Sequence, residues 1–206
     1  MGIDGIRVIV MCKAPVPGGV KTRLMSRYSA VQAAEWHAAM ATTVIERAKR
    51  LFSDVVIAAD DPTHGFFTGF DLPVTIQAAG DLGDRMIRQI EWAFADAASA
   101  VLLLGTDSPH MPESRLLAAV DALKYADVVL GPVEDGGYDL VAMSRPLSIF
   151  ADVVWSSDQV LCKTIENVQH QGLTVEQLGI EFDVDFPEDI DKAKQAGWTL
   201  PRLHGV

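Results

Sequence analysis

The chain has 206 residues and a formal net charge of −11, from 28 acidic and 17 basic side chains. This length predicts one domain, residues 1–206, that buries enough surface to fold without a disulfide or a structural metal. The acidic balance argues against a nucleic-acid partner, because such binders carry basic faces. The chain has no Cys-x-x-Cys pair, no evident signal peptide and no apolar run near the about 20 residues that span a bilayer. We therefore expect a cytoplasmic protein with no membrane partner, and its oligomeric state is left open.

A basic loop follows the first predicted strand, residues 6–11, and reads KAPVPGGVKTRL from residue 13 to residue 24. Its two prolines and two glycines exclude a strand or a helix until about residue 20. Lys21, Thr22 and Arg23 then begin a helical turn. Backbone amides at a helix start favour phosphate, and so do nearby cations. The loop therefore predicts a site for a small anion, the alternative being a solvated connection whose cations face water.

The remaining chain alternates between strand-like and helix-like hydrophobic patterns. Ser29 and Gln32 have the spacing of a capping box at the start of the first long helix. Further strands are predicted at 54–60, 74–78, 101–104, 127–132, 140–143 and 174–178, and helices at 29–50, 80–99, 112–124, 158–171 and 183–197. This alternation is typical of a three-layer α/β domain.

The predicted central strand comprises four large apolar residues, Val101 to Leu104. Such a run is typical of a strand that is buried on both faces in the middle of a parallel sheet. Asp107 follows where the carboxyl end of the strand should open into solvent, and ligands of open α/β sheets bind at that edge. Asp107 is therefore a candidate ligand for a metal or for a sugar hydroxyl. The alternative is that Asp107 or Ser108 only caps the next helix.

Two further acidic segments follow later strands. Residues 134–138 read EDGGY, and two glycines after an acidic pair allow the backbone to approach a ligand closely. A plain hairpin turn is the alternative, which explains the glycines but not Asp135. Asp183 and Asp185 share one face of an extended segment, where two carboxylates suit Mg²⁺ or Mn²⁺. Alternatively, Asp185 caps the last helix.

One more candidate region precedes the second long helix. Asp81 is a candidate cap for that helix. Arg85 either pairs with a neighbouring acid or reaches a ligand.

Taken together, five segments resemble one bacterial family. KAPVPGGVKTRL, GDLGDRM, GTDSP, GPVEDGGYDL and DVDFPEDI occur in the order seen in small glycosyltransferase-A-like proteins, usually described as nucleotide-diphospho-sugar transferases. That family is related to the phospholactate guanylyltransferases and, more distantly, to molybdenum-cofactor nucleotidyltransferases. The resemblance spans Ile6 to about Gly197. It implies a single domain with a mixed, mostly parallel Rossmann-like sheet that binds a nucleotide, with Mg²⁺ (or Mn²⁺) assisting the transfer.

The resemblance also implies roles for individual residues. Asp107 and Asp185 are similar to metal ligands, and Asp107, Asp135 and Lys21 are the expected catalytic residues. The expected acceptor-binding residues are Gly136, Gly137 and Tyr138. The expected nucleotide-binding residues are Lys13, Pro17, Gly18, Lys21, Thr22, Arg23, Gly80, Asp81, Arg85 and Thr106. Before Gly80 the chain departs from the family pattern, because Gln77-Ala-Ala stands where relatives tend to be richer in glycine, and the resemblance does not extend to base recognition there.

The expected chemistry is metal-assisted displacement at a nucleotide-linked centre. In glycosyl transfer an acceptor hydroxyl, oriented or deprotonated by Asp135, attacks the sugar carbon of a nucleotide sugar. In nucleotidyl transfer a phosphorylated acceptor attacks the α-phosphorus of a nucleoside triphosphate. The basic loop favours the second reaction, whereas the usual description of the family favours the first.

Two other classes of protein are alternatives to a transferase. A degenerate P-loop phosphotransferase is disfavoured, because Val20 stands where the P-loop has a glycine directly before its lysine. A nucleotide-binding module without catalysis is the non-enzymatic alternative.

Overall fold

A computed structural model describes residues 2–202 as one α/β arrangement of seven strands and five α-helices. The strands are β1 (Ile3–Cys12), β2 (Phe52–Ala59), β3 (Val74–Ile76), β4 (Ala100–Leu104), β5 (Val128–Pro132), β6 (Tyr138–Met143) and β7 (Val175–Gln177). The helices are α1 (Ala30–Leu51), α2 (Leu82–Ala95), α3 (Glu113–Ala122), α4 (Val160–His170) and α5 (Pro187–Gln195). Short 3₁₀ turns occupy Thr22–Ser26 and Gly65–Phe70. In this part of the chain, every helix is too short or too polar to cross a bilayer.

All seven strands form one sheet in the order β3-β2-β1-β4-β6-β5-β7. Neighbouring strands are parallel except at β6, which runs antiparallel to both β4 and β5. The expected mixed, mostly parallel sheet is therefore confirmed. Because β6 alone is reversed, the carboxyl ends of the other six strands lie at one edge. The loops that follow β1, β2 and β4 consequently meet there.

The strand β4 is buried on both faces, as its sequence predicts. The side chains of Val101, Leu102, Leu103 and Leu104 are all almost fully buried. Leu102 and Leu104 pack with residues of α1 and α3, whereas Val101 and Leu103 pack with residues of α2 and α4. The sheet is thus the middle layer of three.

Several boundaries differ from the predicted ones for identifiable reasons. The last helix begins at Pro187 and not at residue 183, because a residue before proline is pushed out of the helical region. The helix predicted at 80–99 is shorter, Leu82–Ala95. Asp81 caps its start, as predicted, by accepting a hydrogen bond from the amide of Asp84 at 2.9 Å. Just beyond its end, Ala97 has a φ of 64°, which interrupts the helix.

A buried ion pair ties α3 to the β5–β6 hairpin. The Arg115 Nε lies 3.1 Å from Asp139 Oδ2, and the two side chains are 5% and 2% exposed. Arg115 also donates to the carbonyl of Pro132 at 3.1 Å and to the carbonyl of Gly179. Burial raises the pKa of Asp139 to about 6, although the Arg115 guanidinium opposes that rise. The charges of Arg115 and Asp139 are stable in the interior because each side chain has partners for its hydrogen bonds and its charge.

Candidate functional site

A cavity of about 550 Å³ opens at the carboxyl edge of the sheet. Its wall is formed by the loops after β1 and β4, by the start of α2, and by single residues from the later part of the chain. Eight of the residues proposed from the sequence line it: Lys13, Lys21, Thr22, Arg23, Arg85, Thr106, Asp107 and Asp185. Residues from distant segments therefore meet at one place, which is where the sequence predicted a ligand.

The ammonium of Lys21 is the point at which these segments join. Lys21 Nζ lies 2.9 Å from Asp107 Oδ1 and 3.0 Å from Asp185 Oδ1. It also donates to the carbonyl of Val184 at 2.7 Å. The backbone holds the two acidic segments together as well, because the amide of Val184 donates to the carbonyl of Asp107 at 2.8 Å. The two carboxylates thus converge on a single cation.

The electrostatics of this junction favour the charged forms of both Lys21 and Asp107. Burial of Lys21, whose side chain is 6% exposed, opposes its charge, but Asp107 and Asp185 outweigh that effect and raise the pKa of the ammonium. The cavity walls exclude part of the water around Asp107, and this desolvation favours the neutral, protonated carboxyl group. The ammonium of Lys21 outweighs this and lowers the pKa of Asp107. Asp107 is nevertheless 42% exposed, so it remains open to a ligand.

Asp185 is free to face the cavity because another carboxylate caps α5. Asp189 Oδ2 accepts hydrogen bonds from the amides of Asp185 and Phe186, at 3.1 and 2.7 Å. The alternative in which Asp185 only caps the helix is therefore wrong. The second oxygen of Asp185 instead pairs with the guanidinium of Arg23.

Neither Asp107 nor Ser108 caps the next helix. The cap position of α3 is Pro112, so that alternative is also wrong. Ser108 instead donates to Asp183 Oδ1 at 2.5 Å. Burial, together with the nearby charge of Asp107, raises the pKa of Asp183 to about 7. A third carboxyl group thus lies behind the two that face the cavity.

Asp60, at the end of β2, holds the basic loop in place, a role that the sequence analysis missed. Asp60 Oδ1 accepts a hydrogen bond from the amide of Ala14 at 2.6 Å and from the amide of Asp61 at 2.9 Å. The first of these bonds ties the loop after β1 to the end of the neighbouring strand. Asp60 is therefore a positioning residue for the loop that carries Lys21.

Replacing Asp60 should loosen this loop. We expect Asp60→Ala to weaken nucleotide binding about tenfold, because a small misplacement of binding groups is costly. Isothermal titration calorimetry would measure this loss, and thermal melting should show a cooperative fold. Asp61→Ala is the matched control, since Asp61 Oδ1 accepts from Thr63 and not from the basic loop. Equal affinities for the two variants would contradict the positioning role.

His37 lines the cavity, and the sequence did not reveal this role. It belongs to the buried face of α1 and is 4% exposed. Its Nε2 lies 2.9 Å from the carbonyl of Lys13, so Nε2 carries a proton and donates it. Burial lowers the pKa of His37 and favours the neutral ring. The spacing of His37 among apolar helix residues predicts only a core position, so the sequence pattern does not indicate a role in the cavity.

Gln77 and Arg85 form the side of the cavity near β3. Gln77 Nε2 donates to the carbonyl of Ala58 at 2.7 Å, and Gln77 Oε1 accepts from Arg85 Nη1 at 3.5 Å. Arg85 Nε donates to the carbonyl of Gly80 at 3.1 Å. Among the described residues, Arg85 makes no ion pair with an acid. The structure thus disfavours the acid-pairing alternative and places Arg85 on the cavity wall.

Five of the proposed nucleotide-binding or catalytic residues do not line this cavity: Pro17, Gly18, Gly80, Asp81 and Asp135. Pro17 lines a separate, smaller cavity of about 170 Å³ beside α1. Gly18 has a φ of 79° within the loop. Gly80 has a φ of 123°, and a β-carbon there would lie 2.4 Å from Asp84 Oδ2. Asp135 Oδ1 accepts from the amide of Gly137 at 2.9 Å and so stabilises the turn that contains it.

The proposed acceptor turn packs against the start of α4. A β-carbon on Gly136, whose φ is 87°, would lie 2.3 Å from the carbonyl oxygen of Asp158. The hydroxyl of Tyr138 lies 3.4 Å from Thr164 Oγ1 on α4. Local packing therefore requires the glycine. Of the described residues that line the cavity, none comes from 135–138, and acceptor binding by this turn stays a prediction.

The donor set suits a divalent cation. Asp107 and Asp185 offer carboxylate oxygens that meet at one point, and hard cations such as Mg²⁺ take oxygen ligands. Residues 2–202 contain no cluster of three or more His, Cys, Asp or Glu side chains that could hold a metal. Two carboxylates are nevertheless sufficient when substrate phosphates complete the coordination of Mg²⁺. The residues therefore fit a metal that arrives with a phosphorylated ligand.

A family model matches the central part of the chain. It is described as an uncharacterized protein conserved in bacteria (DUF2064) and matches residues 39–157. The matched region includes β4, Asp107 and the turn at 134–138. Comparison with proteins of curated function gives no match.

Solved structures share the fold over nearly the whole chain. A protein provisionally named a nucleotide-diphospho-sugar transferase, from Desulfovibrio desulfuricans G20, is 28% identical with a TM-score of 0.81, over 89% of this chain and 84% of that one. A CMP:2-keto-3-deoxy-manno-octonic acid synthetase, solved with CTP, is 13% identical with a TM-score of 0.59, over 92% and 97%. A 4-diphosphocytidyl-2C-methyl-D-erythritol synthase from Anaerococcus prevotii DSM 20548 is 11% identical with a TM-score of 0.59, over 94% and 96%. The last two show the fold alone, and the resemblance inferred from the five motifs is confirmed.

Proposed function

The chain belongs to the DUF2064 family of bacterial proteins, and from its fold and its cavity we propose that it is a transferase acting on a nucleotide-linked substrate. The observation that carries this proposal is the junction of Lys21 with Asp107 and Asp185, at 2.9 and 3.0 Å, at the carboxyl edge of the sheet. Ligands of open α/β sheets bind at this edge. The junction combines cations for phosphate groups with carboxylates for a metal.

The first candidate reaction is glycosyl transfer from a nucleotide sugar to an acceptor hydroxyl. The similarity to the Desulfovibrio protein, at 28% identity, supports it. Lys13, Lys21 and Arg23 line the cavity and would stabilise the charge that develops on the departing nucleoside diphosphate. Asp135 remains the proposed group that orients or deprotonates the acceptor. That role requires the acceptor to reach the turn beside α4.

The second candidate reaction is nucleotidyl transfer from a nucleoside triphosphate to a phosphorylated small molecule. The specific observation in its favour is that Lys13, Lys21 and Arg23 all line one cavity, which suits a triphosphate better than a diphosphate. The fold shared with two cytidylyl-transferring synthetases agrees with this reaction. In both candidates Asp107 and Asp185 would hold Mg²⁺, which neutralises phosphate charge when bound.

The released product separates the two reactions and the non-catalytic alternative. A thermal-shift panel of nucleoside triphosphates and nucleotide sugars, each with and without Mg²⁺, would first identify the ligand. Nucleotidyl transfer would then release pyrophosphate, whereas glycosyl transfer would release a nucleoside diphosphate. Binding without either product, over a broad set of acceptors, would support a nucleotide-binding module. The absence of any shift across the panel would contradict the proposed function.

Lys21 should bind phosphate groups and not the nucleoside. We expect Lys21→Ala to weaken binding of the preferred triphosphate or nucleotide sugar about 100-fold, since charge-assisted hydrogen bonds to phosphate are strong. Binding of the corresponding nucleoside should change less than about threefold. Calorimetry would measure both affinities. The control is Lys163→Ala, which removes a half-buried lysine on α4 that lies near Glu166 and outside the cavity lining. Equal losses for nucleotide and nucleoside would remove the phosphate assignment.

A further inference from the structure

One position in the cavity suits two different cations. The ammonium of Lys21 contacts three oxygens: Asp107 Oδ1 at 2.9 Å, Asp185 Oδ1 at 3.0 Å and the carbonyl of Val184 at 2.7 Å. The ammonium donates hydrogen bonds to Asp185 and to the carbonyl of Val184, and it forms an ion pair with Asp107. Carboxylate and carbonyl oxygens are also the ligand types that Mg²⁺ and Mn²⁺ prefer. Lys21 therefore occupies the place at which the two carboxylates would hold a metal.

The ammonium and a metal cannot share this place. Mg²⁺ binds its oxygen ligands at about 2.1 Å, and an ion that contacts Asp107 and Asp185 at that distance would meet the ammonium of Lys21. Repulsion between the two positive charges is strong where little water is present. A metal can therefore enter only after the ammonium leaves. The flexible four-carbon stem of lysine permits such a movement, and Lys21 borders the open cavity.

The displaced ammonium needs another anion. The side chain of Lys21 is 6% exposed, so leaving it without a partner would cost much of its hydration. A free metal ion brings no anion with it. A metal–nucleotide complex brings phosphate oxygens that can accept hydrogen bonds from the ammonium and balance its charge. The exchange is therefore favourable only when metal and nucleotide arrive together.

We infer that Lys21 is an exchangeable internal counter-ion: it holds the position of the divalent cation in the free protein and passes to the phosphates when a metal–nucleotide complex binds. In this way it suppresses binding of free metal to Asp107 and Asp185. The inference rests on the proposed function, because it requires a nucleotide to receive the ammonium. A role in phosphate binding alone would not change the affinity for free metal. The counter-ion role predicts that this affinity rises when Lys21 is removed.

The test measures Mn²⁺ binding to the full chain without nucleotide, from the electron paramagnetic resonance signal of free Mn²⁺. Lys21→Met should bind one Mn²⁺ at least about tenfold more tightly than the wild type. The double variant Lys21→Met/Asp107→Asn should lose this gain. Lys163→Met is the matched control for the loss of one positive charge, since Lys163 lies on α4 near Glu166 and does not line the cavity, and it should change the affinity less than about threefold. An unchanged Mn²⁺ affinity in a cooperatively melting Lys21→Met variant would overturn the inference.

A second measurement uses the wild-type protein and does not depend on how a variant folds. The ¹H–¹⁵N signal of the Lys21 ammonium, assigned by its loss in Lys21→Arg, should move when Mg²⁺ and nucleotide are added together and stay in place with Mg²⁺ alone. A signal that moves fully with Mg²⁺ alone, or that does not move when the complex binds, would overturn the inference. Failure of the proposed function is distinct: no nucleotide would then bind and the exchange would be overturned, whereas tighter Mn²⁺ binding by Lys21→Met would still show that Lys21 holds the position of the metal.

Discussion

Asp107→Asn is expected to reduce transfer at least about 100-fold, the loss typical of removing one group that stabilises developing charge. The amide keeps the size of the carboxylate but cannot neutralise a metal or the ammonium of Lys21, which lies 2.9 Å from Asp107 Oδ1. Nucleotide binding should also lose its dependence on Mg²⁺. Turnover assays would measure the first effect, and calorimetry with and without Mg²⁺ the second.

The control for this variant is Ser156→Ala, because Ser156 lines the same cavity from the segment before α4. It should melt cooperatively and keep the Mg²⁺ dependence of nucleotide binding. Asp107→Asn should also melt cooperatively, since Asp107 is 42% exposed and lies outside the apolar core. If Mg²⁺ dependence survived in Asp107→Asn, the metal would have to be held by other groups.

Arg115→Met is expected to lower the free energy of unfolding by about 3–5 kcal/mol, the cost of removing one partner from a buried ion pair. The variant leaves the carboxylate of Asp139, 2% exposed, without its cation. The carbonyls of Pro132 and Gly179 also lose a donor. Chemical denaturation followed by circular dichroism would measure the loss.

An exposed ion pair provides the control for Arg115. Arg145 Nη2 lies 2.9 Å from Asp127 Oδ1, with 55% of the arginine side chain exposed. Arg145→Met should therefore cost about 1 kcal/mol or less, because solvent screens such pairs. A loss in Arg115→Met as small as that in Arg145→Met would contradict the structural role of the buried pair.

The loss of stability in Arg115→Met should depend on pH, because the pKa of Asp139 depends on its burial and on Arg115. Burial raises that pKa in the folded protein to about 6, above its value in the unfolded chain. The folded state then binds a proton more tightly, so the contribution of Asp139 to stability falls as the pH rises from about 4 to about 6. Without Arg115 the folded pKa should rise further. The destabilisation of Arg115→Met should therefore be smaller at pH 5 than at pH 8.

Local sequence patterns, together with the family resemblance, predicted most of the sheet and half of the residues that line the candidate cavity. The run Val101 to Leu104 required burial on two faces, and Asp107 followed it at the functional edge. Prolines and glycines marked the basic loop, and the spacing of Ser29 and Gln32 marked a helix start that the structure confirms. These patterns involve residues that are close together in the sequence, so they can be identified without knowledge of the fold.

The missed features depend on contacts between distant segments. Asp60 reaches the amide of Ala14, 46 residues away. The ion pair of Arg115 and Asp139 joins a helix to a hairpin. Gly136 is explained by Asp158 and not by a ligand. Tertiary packing determines which distant residues come into contact. A pattern within a single segment cannot predict these contacts.

The most direct test of the central claim is a crystal structure of the protein with Mg²⁺ and the nucleotide that gives the largest thermal shift. We expect the phosphates to lie within hydrogen-bonding distance of Lys21 and Arg23, with Mg²⁺ between them and the carboxylates of Asp107 and Asp185. A nucleotide bound with its phosphates away from Lys21, or Mg²⁺ held by other residues, would contradict the account.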